Sequence, residues 1–201
     1  MFNEIARQLR QPTGILGKIL SKFLKRMNGD IYKQMVKELA AQDGEKIYEI
    51  GYGHGSGINQ VAQAANCEVN GIDFSEVMYN DAVKLNADLI TNKKVTLTFG
   101  DFLTTEIDAG YYDKIFCVNV IYFWSDLLKP FAKIKNSLTA KGIFYIYMDS
   151  LEEIKNSKFT NESSFNFYDM EQVRSQLNEI GFEVSHYDYG RGHILKCSVS
   201  N

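Results

Sequence analysis

From residue 46 onward, short apolar runs alternate with stretches of helical period, the pattern of strands and helices taking turns. Ile47 to Ile50 reads as a first strand ending in glycines, and Ile58 to Ala65 as the helix behind it. Cys67 to Ile72 is a second strand. Ser75 then stands as an N-cap before Met78, Ala82, Leu85 and Leu89, which recur at helical spacing. Val95 to Phe99 makes a third strand. Tyr112 to Val120 is apolar on both faces, as a central parallel strand is. A helix through Phe131, Ile134 and Leu138 follows, with Pro130 in its first turn.

Gly142 to Met148 supplies a fifth strand, after which residues 150 to 168 turn polar and irregular. Asp169 caps a helix through Val173, Leu177 and Ile180. Two closing strands, FEVSHYDY and HILKCSV, flank Gly190-Arg191-Gly192, so they form a hairpin and the last runs antiparallel to its neighbour. The fold class is therefore α/β: a Rossmann-like, mostly parallel seven-stranded sheet with an antiparallel last strand. Residues 1–45 read as an N-terminal helical extension of the same domain, and residues 46–201 as its ligand-binding body. Within the extension, residues 14–27 place Ile15, Leu16, Ile19, Leu20, Phe23, Leu24 and Met27 on one arc and Lys18, Lys22, Lys25 and Arg26 on the opposing one. Such a helix buries its apolar face as a lid over the cleft, on an anionic membrane surface, or on a partner protein, and the lid is preferred because the helix directly precedes the domain.

Composition narrows this picture. With 201 residues, 45% of them hydrophobic, the chain supports one sizeable core and is neither disordered nor fibrous. A formal charge of -3 offers no overall attraction to nucleic acid. No apolar run is long enough to span a membrane and no signal peptide is evident, so a cytoplasmic protein is expected. Cys67, Cys117 and Cys197 sit in strand-like runs and read as reduced core thiols. No Cys-His cluster has ligand spacing, His186 and His193 lie in the terminal hairpin, and no metal is expected. Gly55-Ser56-Gly57 lacks the spacing of a hydrolase nucleophile elbow.

The chemistry gathers at strand ends. Glu49-Ile50-Gly51-Tyr52-Gly53-His54-Gly55-Ser56-Gly57 is a glycine turn opening a helix, where backbone can approach a ligand closely. A tight strand-to-helix connection is the alternative explanation when such a turn stands alone. Asp73 follows about 20 residues later at the end of strand two, where an acid meets ribose hydroxyls. Asp101, after strand three, either accepts from an exocyclic amine or caps its loop. Phe74, Met78 and Phe102 are available to cover a purine face, and Asn119 to Trp124 end strand four in an aromatic cluster that is as readily core as site.

Taken in order along successive strand ends, these landmarks resemble the class I S-adenosylmethionine-dependent methyltransferases, over roughly residues 28 to 199. Residues 11–27 are similar to the lead-in of quinone-biosynthesis-type and related small-molecule members. The resemblance implies S-adenosyl-L-methionine as cofactor, with Glu49, Gly51, Gly53 and Gly55 at its methionine end and Asp73 on its ribose. It implies Phe74, Met78 and Phe102 around the adenine, Asp101 on the adenine amine, and the Asn119 backbone on the methionine amino group. Asn119-Val120-Ile121-Tyr122 departs from the Asn-Pro-Pro-Tyr of nucleic-acid amino-methyltransferases, which disfavours base methylation and leaves a small-molecule acceptor. Methyl transfer needs chiefly alignment and exclusion of water, so His54, Tyr122 and Asp149 are only weak candidates for acid-base work. Tyr32, Tyr122 and Trp124, with Phe165, Phe167 and Tyr168, are candidates to line the acceptor pocket. Two alternatives stay open: an NAD(P)-dependent oxidoreductase, since Gly51-x-Gly53 also opens that fingerprint, and a non-catalytic cofactor-binding partner subunit.

Overall fold

The computed structural model describes residues 28–157 and 165–200. The amphipathic stretch 14–27 and part of the polar stretch before Phe165 lie outside these residues. The chain opens with helix α1 (Gly29–Leu39), strand β1 (Lys46–Ile50) and helix α2 (Ser56–Ala64). It continues with β2 (Glu68–Asp73), α3 (Glu76–Leu85), α4 (Ala87–Thr91) and β3 (Val95–Phe99). Then come β4 (Tyr112–Val118), a 3-10 turn (Ile121–Phe123), α5 (Leu128–Ser137) and β5 (Leu138–Asp149). The chain closes with α6 (Leu151–Asn156), α7 (Met170–Ile180), β6 (Phe182–Tyr189) and β7 (Gly192–Val199).

The seven strands form one sheet in the order β3-β2-β1-β4-β5-β7-β6. Every pairing from β3 to β5 is parallel, whereas β7 runs antiparallel to both β5 and β6, as the Gly190 to Gly192 hairpin requires. The order reverses direction between β1 and β4, and such a switch point leaves a crevice at the carboxyl ends of the strands. Both faces of the sheet are covered, which is why β4 is apolar on both faces from Ile115 to Val118. On one face Ile31, Met35 and Leu39 of α1 pack with Ile58, Val61 and Ala62 of α2 over Ile47, Val69, Phe116 and Val118. On the other, Phe131 and Ile134 of α5 and Val173 and Leu177 of α7 cover Ile115, Cys117, Phe144 and Ile146. Residues 29–39 thus belong to the body of the domain. All three cysteines are buried and free. Among the described residues no helix is long and apolar enough to cross a membrane.

Local signals hold where chemistry sets them. Ser75 caps α3 by accepting from the Met78 amide. Asp169 and Gln172 form a reciprocal capping box on α7, and Gly181 ends that helix in the left-handed conformation. The period through Met78, Ala82, Leu85 and Leu89 is not one helix, however. Asn86 separates α3 from α4, its side chain donating to the carbonyls of Ala82 and Gly55 instead of leaving the helix to continue. A further short helix, α6, falls in the polar stretch that reads as irregular, capped by Ser150.

Candidate functional site

β1 delivers Glu49 and then the glycine turn to the carboxyl edge of the sheet. Gly51 has φ 71° and its missing side chain leaves room for Val120, whose Cγ2 would lie 2.5 Å from an added Cβ. Gly55 has φ 83° at the N-cap of α2, where a Cβ would strike Ala82 and Asn86 of the neighbouring helix junction. Neither position tolerates a side chain, for both conformational and steric reasons. Asn86 also accepts from the Asn59 amide, so one buried amide ties the turn, α2 and α3 together. Sequence reading passes over it, because a lone asparagine in a helical period carries no distinguishing mark.

Glu49 is wholly buried, 0% exposed, with the Tyr32 hydroxyl and the Ile58 amide beside its carboxylate but no hydrogen bond of ordinary geometry to either oxygen among the described residues. Burial dominates its ionisation and pushes its pKa up to about 8; the nearby Tyr32 hydroxyl opposes that shift and Asp73 adds to it. Tyr32 on α1 is itself buried beside Glu49 and Gly57, and its own pKa is raised by burial and by Glu49. Asp73, at the end of β2, is 8% exposed. One of its oxygens accepts from the Gly53 amide and the other from the Ser75 amide, each at 2.8 Å. Burial raises its pKa to about 6 against those two amides. Each oxygen keeps a lone pair, so the carboxylate is clamped in place yet able to accept again.

Phe74 follows, half-buried, its ring edge-on to Phe123 at 6.5 Å, and Phe123 meets Phe165 at 5.2 Å. Met78 is buried one turn into α3. Across the switch point Asn119 adopts φ 56°, a left-handed conformation that asparagine tolerates. Its side chain accepts from the Asp149 amide, which bridges the ends of β4 and β5. Glu49, the turn at Gly51, Gly53 and Gly55, Asp73, Phe74, Met78 and Asn119 therefore share the carboxyl edge of β1, β2 and β4.

Other residues singled out in the sequence are placed differently. Asp101 is exposed at the end of β3 and accepts from the Leu103 amide, the loop-capping role. Phe102 is buried in the opposite core, its ring 5.9 Å from Trp124 and beneath the Lys133 ammonium. Trp124 packs between Phe102 and Phe131 in that core. The Tyr122 hydroxyl donates to the Asp149 carbonyl at 2.9 Å, and the Asp149 carboxylate pairs with Arg191. Tyr168 donates to the Trp124 carbonyl and Asn166 to that of Tyr122, so the segment after residue 164 is pinned over the end of β4. His54 sits partly buried in the glycine turn. Among the described residues no group of His, Cys, Asp and Glu could hold a metal ion.

A buried carboxylate beside a tyrosine hydroxyl, a second one clamped by two amides, and a glycine turn at the switch point suit a nucleoside bearing positive charge. The comparisons agree with that chemistry. A methyltransferase-domain family model matches residues 47–142, from β1 into β5. The chain is 30% identical over 126 residues to the uncharacterized methyltransferase YdaC of Bacillus subtilis (strain 168), an alignment covering 62% of this chain and 67% of that protein. It belongs to the class I S-adenosylmethionine-dependent methyltransferase family.

Solved structures share the fold. Phosphoethanolamine N-methyltransferase 2 of Haemonchus contortus, in complex with phosphomonomethylethanolamine and S-adenosylhomocysteine, superposes with a TM-score of 0.73 at 17% identity. That match covers 86% of this chain but only 53% of that one, so this chain spans about half of the larger enzyme. A chain of the complex between the Haloferax volcanii Trm112 methyltransferase activator and a methyltransferase matches with a TM-score of 0.77 at 16% identity, covering 90% of this chain and 93% of that one.

Proposed function

We propose that the domain transfers a methyl group from S-adenosyl-L-methionine to a small-molecule acceptor at the carboxyl edge of β1, β2 and β4. The observation that carries the reading is the pair of buried carboxylates at the switch point, Glu49 wholly buried beside Tyr32 and Asp73 held by Gly53 and Ser75. Glu49 gains most from a cation, and the cofactor brings a sulfonium and an ammonium. Asp73, with its spare lone pairs, takes the ribose hydroxyls. Phe74 and Met78 flank the adenine, Asn119 offers its backbone to the methionine end, and the glycines at 51, 53 and 55 let the chain approach. Asp101 stands at the outer end of this row, where its carboxylate accepts from the adenine amine while also capping its loop. Phe102 contributes through its backbone, since its ring is in the core.

The cofactor supplies an already activated methyl group. What remains for the protein is to align an acceptor in line with the breaking S-CH3 bond and to exclude water. Tyr122 and Asp149 hold the ends of β4 and β5 by hydrogen bond and ion pair, which makes them supports of the acceptor side more than proton carriers. The aromatic row Phe74, Phe123 and Phe165 forms the wall beside them. A small acceptor is favoured by this wall, by the absence of net positive charge and by Asn-Val-Ile-Tyr at 119–122. The Haemonchus neighbour, bound to phosphomonomethylethanolamine, is one such case. Incubating the enzyme with methyl-labelled cofactor and a metabolite extract tests the reading: label is expected in a low-mass product, and label found only in nucleic acid or protein contradicts it.

A further inference from the structure

The two edges of the sheet are built differently. β6 carries Glu183, His186 and Asp188 on exposed positions, the usual protection of an edge strand against pairing with another chain. β3, VTLTF, has no charge and no proline, and among the described residues it pairs only with β2. Its last residue, Phe99, is 53% exposed, and Leu103 just beyond is 44% exposed.

The hydrogen bonds show which groups this edge presents. Val69 donates to the Lys94 carbonyl and Gly100 donates to the Asp73 carbonyl, so even-numbered residues of β3 face β2. Val95, Leu97 and Phe99 therefore direct their amides and carbonyls outward. Centred on Leu97, the segment reads nearly the same in both directions. Antiparallel pairing with a second copy sets Leu97 opposite Leu97, Val95 opposite Phe99 and Thr96 opposite Thr98. The outward residues fall at the hydrogen-bonded positions of such a ladder and the threonines at the non-hydrogen-bonded ones, where Thr-Thr pairs are favourable. Just outside the two ends of the strand, in turns and not in the ladder, stand exposed Lys93 and exposed Asp101, so the register puts opposite charges of the two copies at matching ends. Lys94 takes no part, since its ammonium is bonded to the Ala62 and Ala65 carbonyls.

We infer that β3 is an interface at which a second copy of this chain docks edge to edge, in an antiparallel two-fold register centred on Leu97. An isologous contact of this kind closes on itself and yields a dimer and not a filament. The docking leaves Glu49, Asp73 and the glycine turn untouched and meets the proposed cofactor side only at Asp101.

Sedimentation of the full chain from about 10 to 100 µM, a range above a dissociation constant of about 1 µM, is expected to show the 22.9 kDa species doubling in mass. The register is tested by two mild surface variants, Thr96→Cys and Thr98→Cys. Opposed non-hydrogen-bonded residues sit about 4.5 Å apart between Cα atoms, within disulfide reach, whereas a diagonal pair at roughly 7–8 Å is not. Mixed under oxidising conditions, the two variants should cross-link to each other and neither to itself. A monomer at every concentration, or cross-linking that is equal in the single variants and the mixture, overturns the proposal.

Discussion

A carboxylate removed from water with too few hydrogen bonds to replace those it loses destabilises the fold that contains it, and Glu49 is in that position. Because burial raises its pKa from 4.5 to about 8, the folded chain prefers the neutral acid. Stability from this group is complete below pH 4.5 and is lost as pH rises towards 8. Asp73 acts in the same direction between 3.8 and about 6. Glu49→Gln should therefore raise the melting temperature of the ligand-free protein at pH 8 by about 2–4 °C, roughly 1 kcal/mol for a chain of this size, and change it little at pH 4. The same substitution should weaken cofactor binding about 10- to 100-fold, since it removes the charge that a sulfonium compound meets. For the wild type, binding should release protons and tighten as pH rises from 6 to 8, which calorimetry in buffers of different ionisation enthalpy reads directly. His54→Ala and Tyr122→Phe should each lower turnover by less than about 100-fold, the low end of general acid-base contributions. Tyr122 is a support whose hydroxyl is already spent on Asp149, and a loss above about ten-thousandfold with cofactor affinity kept would identify a base instead.

Among the elements, those whose ends carry capping chemistry are the ones that sequence reading places well. Ser75, Asp169 and Gly181 mark helix ends because their side chains, or the lack of one, satisfy the terminal backbone groups. Asp169→Ala should cost about 1 kcal/mol of stability, read from the urea midpoint, with cofactor affinity unchanged, because the capping box on α7 is remote from the glycine turn. Gly55→Ala should differ in kind, combining left-handed strain of about 1–2 kcal/mol with a clash against Ala82, and it should damage binding as well as stability. What was not legible depended on contacts made across the fold. The break at Asn86 is invisible in a period that Leu85 and Leu89 continue, and it exists because the Asn86 amide reaches the Gly55 carbonyl. The direction of the Phe102 ring, into the core beside Trp124, follows from how the chain turns after β3 and not from its neighbours in sequence. Likewise β5 begins at Leu138, ahead of the apolar run, because Leu138 pairs with Tyr112.

At the scale of the whole molecule, the alternation of strands and helices specified a mostly parallel sheet and the closing Gly-Arg-Gly hairpin its reversed last strand, while the place of β7 between β5 and β6 was not legible. The carboxyl-edge placement of Glu49, the glycine turn and Asp73 followed from that topology, since each ends a parallel strand next to the switch point. How deeply each acid is buried did not follow, because that depends on α1 and α2 closing over β1. The account rests on those two acids meeting one cationic nucleoside. The most direct measurement is calorimetric titration of the wild type and Asp73→Ala with S-adenosyl-L-methionine, with NAD as the control ligand. Saturable binding of the methionine compound but not of NAD is predicted, weakened by about 1.5–3 kcal/mol in the variant. Equal affinity in the two proteins would remove Asp73 from the site and contradict the account.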